Sequence, residues 1–158
     1  MSASLWQEYV AAHPEHREEQ PPVDAFGDSA AMADELLELV LTGPKRATAG
    51  PLAAYEFDGE SIPVAGSHWV ATDGSGAERV VLRTVEVWVG PLDSVDDAFA
   101  YDEGEGDRTR EYWLDVHRRF FSGQAEQRGI PTPDGPDSMA CVFERFEVVW
   151  PPEHADGG

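Results

Sequence analysis

Three stretches of the chain carry residues with chemical potential. The first is Gly43-Pro44-Lys45-Arg46-Ala47-Thr48, where two cations and a hydroxyl follow a helix-like segment. Lys45 and Thr48 lie three apart, so one turn can bring an ammonium and a hydroxyl together. A lysine desolvated in a pocket loses its proton readily and can then serve a threonine nucleophile as base. Cations here also have a plainer use, because they balance the negative end of a helix dipole. The second stretch is the acidic run Asp96, Asp97, Asp102, Glu103, Glu105 and Asp107. Such a run is ordinarily a solvated face, yet one inward carboxylate would orient a lysine or hold a metal. Its spacing is not that of an EF-hand loop. The third stretch is Arg108, Tyr112, Trp113 and His117. These could stack on or pair with a planar, anionic ligand, although aromatics at helical spacing more often belong to a core.

Other signatures are lacking. The five histidines show no H-x-x-x-H spacing, and the one cysteine, Cys141, forms no C-x-x-C, so no metal or other cofactor is expected. Cys141 sits in an apolar run and reads as a small buried hydrophobe. No G-x-S-x-G, Walker A or G-x-G-x-x-G motif occurs.

The elements that must position these residues belong to a chain of 158 residues, enough for one compact domain. It holds 31 Asp+Glu against 11 Lys+Arg, a formal charge of −20. That balance is the opposite of a polyanion-binding footprint and argues against long duplex nucleic acid. The 41% hydrophobic content and five tryptophans argue for a packed core. No apolar run reaches the ~20 residues of a membrane span. MSASLWQEYV lacks the pattern of a secretory signal, so a soluble cytoplasmic protein is expected.

Residues 5–12 read as a helix stopped by His13-Pro14, and residues 14–24 as a connector. A second helix begins at Asp28 or Ser29 and ends at Gly43-Pro44, with Met32, Leu36, Leu39 and Val40 as its apolar stripe. Runs 68–72 and 79–89 flank the turn Asp73-Gly74-Ser75-Gly76 and predict a hairpin. A short helix is expected over 94–101. A longer one, capped by Asp107 or Thr109, should run to about Gly123 with Trp113, Val116, His117 and Phe120 on one face. Residues 123–138 read as loop and 141–150 as a strand; residues 47–67 receive no element. The mixture predicts an α+β fold, a small curled sheet with helices packed outside.

The ordered set Phe26-Gly27-Asp28-Ser29, Ala33-Asp34-Glu35-Leu36, Gly43-x-Lys45-x-x-Thr48, Glu103-Gly104-Glu105-Gly106-Asp107-Arg108, Glu111-Tyr112-Trp113, His117, Phe120-Phe121 and Cys141–Phe146 resembles the bacterial ASCH domain. The resemblance covers about residues 24–151, leaving 1–23 as an N-terminal helix and connector and 152–158 as an expected disordered tail. It implies a small PUA-like β-barrel with helices packed around it and a cleft beside the G-x-K-x-x-T element. Some family members bind or cleave RNA, and one subgroup hydrolyses N4-acetylcytidine with a Thr, Lys and Glu triad. By match to that subgroup, Thr48 is the expected nucleophile, Lys45 its activator and Glu103 the group that holds Lys45. Arg46, Tyr55, Arg108, Tyr112, Trp113 and Arg145 are the expected substrate contacts. The expected partner is a small nucleoside or nucleotide, or a short single-stranded RNA. An RNA-binding or RNA-cleaving module, or a ligand-binding domain without catalysis, remain the alternatives. The chain departs from the amidohydrolases at Ala49-Gly50-Pro51, where they carry a basic residue, and in its long second-half helix.

Overall fold

A computed structural model describes residues 4–156. Five helices and five strands follow in the order α1 (Leu5–Ala12), β1 (Val23–Ala25), α2 (Ala30–Thr42), β2 (Ala47–Pro51), α3 (Leu52–Asp58), β3 (His68–Thr72), β4 (Glu78–Pro91), α4 (Asp97–Glu103), α5 (Arg110–Arg128) and β5 (Ala140–Trp150). The strands form one sheet in the order β1-β3-β4-β5-β2. It is mixed, because β1 runs parallel to β3 while β3 with β4 and β2 with β5 are antiparallel. The fold class is therefore α+β, as the sequence predicts. No helix among the described residues is long and apolar enough to cross a membrane.

Contacts divide the chain into two compact units. The first holds the described residues up to Gly43, then Ala65–Val85 and the chain from Phe146 onward. Its helices are capped as their sequences dictate. Ser4 and Gln7 form a capping box on α1, and Ser29 Oγ accepts from the Met32 amide at the start of α2. Gly43, at φ 113°, ends α2 in a conformation that side chains resist. The buried stripe of α2 is Ala33, Leu37 and Val40, with Met32, Leu36 and Leu39 only half-buried beside it. The helix is thus rotated by about one residue from the predicted face, so that small Ala33 meets the core. Phe26, Leu37, Val40, Ala71, Val80, Leu82, Phe146 and Val148 make that core. The chain after Trp150 turns back, and the Asp156 carboxylate and amide both bond Val148. Of the tail expected to be disordered, residues 157–158 lie outside the described residues.

The second unit comprises Pro44–Val64 and Glu86–Arg145 and carries the chemistry. Its core is built by Ala47, Leu92, Val95, Phe99, Ala100, Trp113, Leu114, Phe121, Cys141 and Phe143. Asp96 caps α4 and Thr109 caps α5. α5 continues through Gly123 to Gly129, well past the predicted stop. Gly123 is tolerated because Phe121 and Ala125 on either side are buried and hold the turn. β2 was invisible in sequence because it contains Gly50-Pro51, and a sheet edge is the place where a strand accepts proline.

Candidate functional site

Lys45 lies between the end of α2 and β2, on a backbone held against the end of α4. The Arg46 amide donates to the Asp102 carbonyl at 2.7 Å. Gly104, at φ 72°, turns the chain so closely that a Cβ there would stand 2.7 Å from the Pro44 carbonyl carbon and 2.8 Å from the Lys45 nitrogen. Glycine is what permits this approach. Lys45 and Glu103 thereby become neighbours although 58 residues apart in sequence.

The Lys45 side chain is 1% exposed, and its Nζ donates to Glu103 Oε2 at 2.8 Å, Glu105 Oε2 at 3.1 Å and the Ala47 carbonyl at 2.8 Å. Glu103 is equally buried. Its Oε1 has no hydrogen-bond partner among the described residues and lies 3.8 Å from His117 Nε2. His117 Nδ1 donates to the Trp113 carbonyl, 2.8 Å away, and the imidazole stacks on the Trp113 ring at 3.9 Å. Since a carbonyl only accepts, Nδ1 carries the proton and Nε2 presents a lone pair.

The charges follow from burial and partners. Burial works to lower the Lys45 pKa, but the Glu103 and Glu105 carboxylates outweigh it and hold the pKa above the ordinary lysine value. Lys45 is therefore an ammonium at rest, not the deprotonated base that a desolvated lysine alone would be. Burial raises Glu105 to about 7 against the pull of Lys45, with the bond to Glu103 and its charge adding to the rise. Burial pushes His117 down to about 4, so it is neutral near pH 7.

Thr48 follows on β2, half-buried. It pairs with Glu144 of β5, and residues directly opposite in an antiparallel pair share a face. Glu144 is 4% exposed. Alternation puts Thr48 and Gly50 on the face opposite Ala47. The Tyr55 ring packs over Gly50, 3.5 Å from where a Cβ would be. One face of β2 thus gathers Thr48, Glu144 and Tyr55. Lys45 reaches the carbonyl of the peptide that joins Ala47 to Thr48. The Thr48 hydroxyl itself makes no hydrogen bond to Lys45, Glu103 or Glu105 among the described residues.

Of the expected triad, Lys45 and Glu103 meet, and Thr48 stands one peptide away. Arg46 is half-buried, with Nη1 donating to the Lys45 carbonyl at 2.7 Å. Arg108 lies over the Tyr101 ring at 3.5 Å. Arg145 is paired with Asp102 and Glu86, each at 3.0 Å. Tyr112 is 39% exposed and packs against Gly106. Trp113 needs correcting as a substrate contact, because it is 2% exposed in the core and its ring face is covered by His117. The rest of the acidic run divides as a mostly solvated face should: Asp96 caps α4, and Asp107 accepts from the Thr109 amide at 3.0 Å. Glu144 was missed as part of the Thr48 surroundings, since only strand register brings it there. Cys141 is buried, and its thiol is pushed up to about 12.

A cleft of about 300 Å³ opens elsewhere in the second unit, lined by Leu52, Glu56, Phe121, Arg128, Ile130 and Met139 among others. Neither Lys45, Thr48 nor Glu103 lines it. Among the described residues, two groups have donor atoms close enough to hold a metal: Glu103 with Glu105 and His117, and His16 with Glu19 and His68. In the first group the Lys45 ammonium already occupies the cation position between the carboxylates.

The ASCH domain profile matches residues 22–150. A crystal structure of an Enterococcus faecalis V583 protein, assigned to the family DUF984, is 34% identical, with 92% of this chain and 85% of that one covered and a TM-score of 0.78. The crystal structure of an ASCH domain from Lactobacillus crispatus JV V101 is 27% identical, covers 93% and 92% of the two chains, and gives a TM-score of 0.81. No curated protein matches. The α+β sheet with its packed helices is thus of the ASCH, PUA-like kind, and the chain belongs to the ASCH domain family.

Proposed function

We propose that this protein is a hydrolase of a modified nucleoside or nucleotide, of the N4-acetylcytidine amidohydrolase kind, acting in the cytoplasm. The observation that carries the reading is the buried Lys45–Glu103 pair, held against the Ala47–Thr48 peptide by the Gly104 turn. A buried cluster of mutually perturbed titratable groups is where acid–base chemistry is prepared.

In this reading the substrate base packs near Tyr55 on the Thr48 face of β2, and binding brings the Thr48 hydroxyl within reach of Lys45 Nζ. Lys45 passes a proton to Glu103 across their 2.8 Å contact and then takes the Thr48 proton. Thr48 Oγ1 bonds to the acyl carbon, the amide C–N bond breaks, and the amino group leaves with a proton returned by Lys45. Water then cleaves the ester on Thr48, giving acetate and restoring the hydroxyl. The substrate is small, because the −20 charge disfavours long polyanions.

The RNA alternative calls on cations that the structure engages otherwise, with Arg108 over Tyr101 and Arg145 between two carboxylates. Incubation with N4-acetylcytidine tests the main reading. Cytidine and acetate should form in equal amounts, insensitive to EDTA; absence of both products defeats it, and chelator-sensitive RNA cleavage would favour the alternative.

A further inference from the structure

A second cluster lies in the first unit, away from the family motifs. The five histidines look scattered in sequence, yet His13, His16 and His68 gather around Tyr9. His16 ends a short 3₁₀ turn, Pro14–His16, Glu19 follows in the connector, and His68 opens β3. The His16 and His68 ring centroids are 4.6 Å apart, and each of His16, Glu19 and His68 offers a donor atom within 4.8 Å of the others.

Glu19 grips His68 twice. Its Oε2 accepts from the His68 amide at 2.8 Å, and its Oε1 lies 2.9 Å from His68 Nδ1. The other ring nitrogen, Nε2, faces the Tyr9 hydroxyl at 3.3 Å. The His68 side chain is fully covered, while those of His16 and Glu19 are 32% and 29% exposed. One side of the cluster is therefore built and buried, and the other is open to water.

We propose that His16, Glu19 and His68 bind a divalent zinc ion. The ion takes the place of the proton between His68 Nδ1 and Glu19 Oε1, and His16 supplies the third donor. The displaced proton passes to Nε2 by way of solvent, so His68 takes the tautomer whose Nε2–H donates to the Tyr9 oxygen and no proton is lost overall. A metal-bound imidazole ordinarily donates its second nitrogen in this way. Two imidazoles and a carboxylate suit zinc, with water completing the shell from the open side. The group is a better candidate than Glu103, Glu105 and His117, because no lysine ammonium stands among its donors. The ion would tie the connector to β3 and stabilise the folded chain by mass action.

The test is calorimetric titration of zinc chloride into the untagged, EDTA-treated full chain, with thermal melts of every variant. Wild type should bind one ion per chain and melt at a higher temperature with zinc. His16→Ala and Glu19→Gln should weaken binding roughly 10-fold or more. His16→Ala, at a part-exposed position, should melt like wild type without metal. His117→Gln should bind as wild type does. Absence of saturable binding overturns the proposal, as does His16→Ala binding normally or loss on His117→Gln instead.

Discussion

Lys45 Nζ lies 2.8 Å from Glu103 Oε2 while each side chain is almost wholly withdrawn from solvent. A buried ion pair of this kind is costly to break from one side, because the remaining charge stays in a low-dielectric site without its partner.

Glu103→Gln and Lys45→Met should each destabilise the protein by about 3–5 kcal/mol in urea unfolding. Lys45→Met with Glu103→Gln should cost less than the sum of the single changes, since it removes both charges while keeping volume. Additive losses would mean that the two groups do not act as a pair.

The pH dependence has two opposed parts. Glu105 is raised from 4.5 to about 7, so between those values the folded protein holds a proton that the unfolded chain has lost, and stability falls as pH rises. His117 is lowered from 6.5 to about 4, so over that window the unfolded chain binds a proton that the folded one refuses, and stability rises with pH. The two nearly offset from about pH 4.5 to 6.5. Glu105→Gln removes the falling part alone. Its stability relative to wild type should climb with pH up to about 7, by at most about 1.4 kcal/mol per pH unit. Urea midpoints measured at pH 5, 6 and 7 check this, and a constant difference would deny the raised Glu105 pKa.

Gly104→Ala should destabilise by about 1–3 kcal/mol or more, because φ 72° and the Pro44 backbone both oppose a side chain. Gly123→Ala, where a Cβ meets nothing within 4 Å, should be neutral or stabilising by up to about 1 kcal/mol. Melting temperatures of the two variants distinguish a site-forming turn from an ordinary helix position.

Much of this was legible in sequence. The caps at Ser29 and Thr109, the stop at Gly43 and the hairpin around Asp73–Gly76 rest on local rules that packing did not override. The meeting of Lys45 with Glu103 followed from motif resemblance, and no spacing argument would have given it. Glu105 and His117 joined the site through the Gly104 turn and the rotation of α5, which only tertiary packing sets. Trp113 was misread because a stacking aromatic and a core aromatic look alike along a helix. The convergence of His16 with His68 depends on β3 lying against the connector, which no periodicity encodes.

The most direct test of the proposed chemistry is turnover of N4-acetylcytidine by wild type beside Thr48→Ala, with unfolding followed in parallel. The Thr48 hydroxyl makes no hydrogen bond to the buried pair, so the variant should melt like wild type. It should nevertheless form cytidine at least ~100-fold more slowly, the order expected when a positioned catalytic group is lost. Equal rates in the two proteins, or no cytidine from either, would contradict the account.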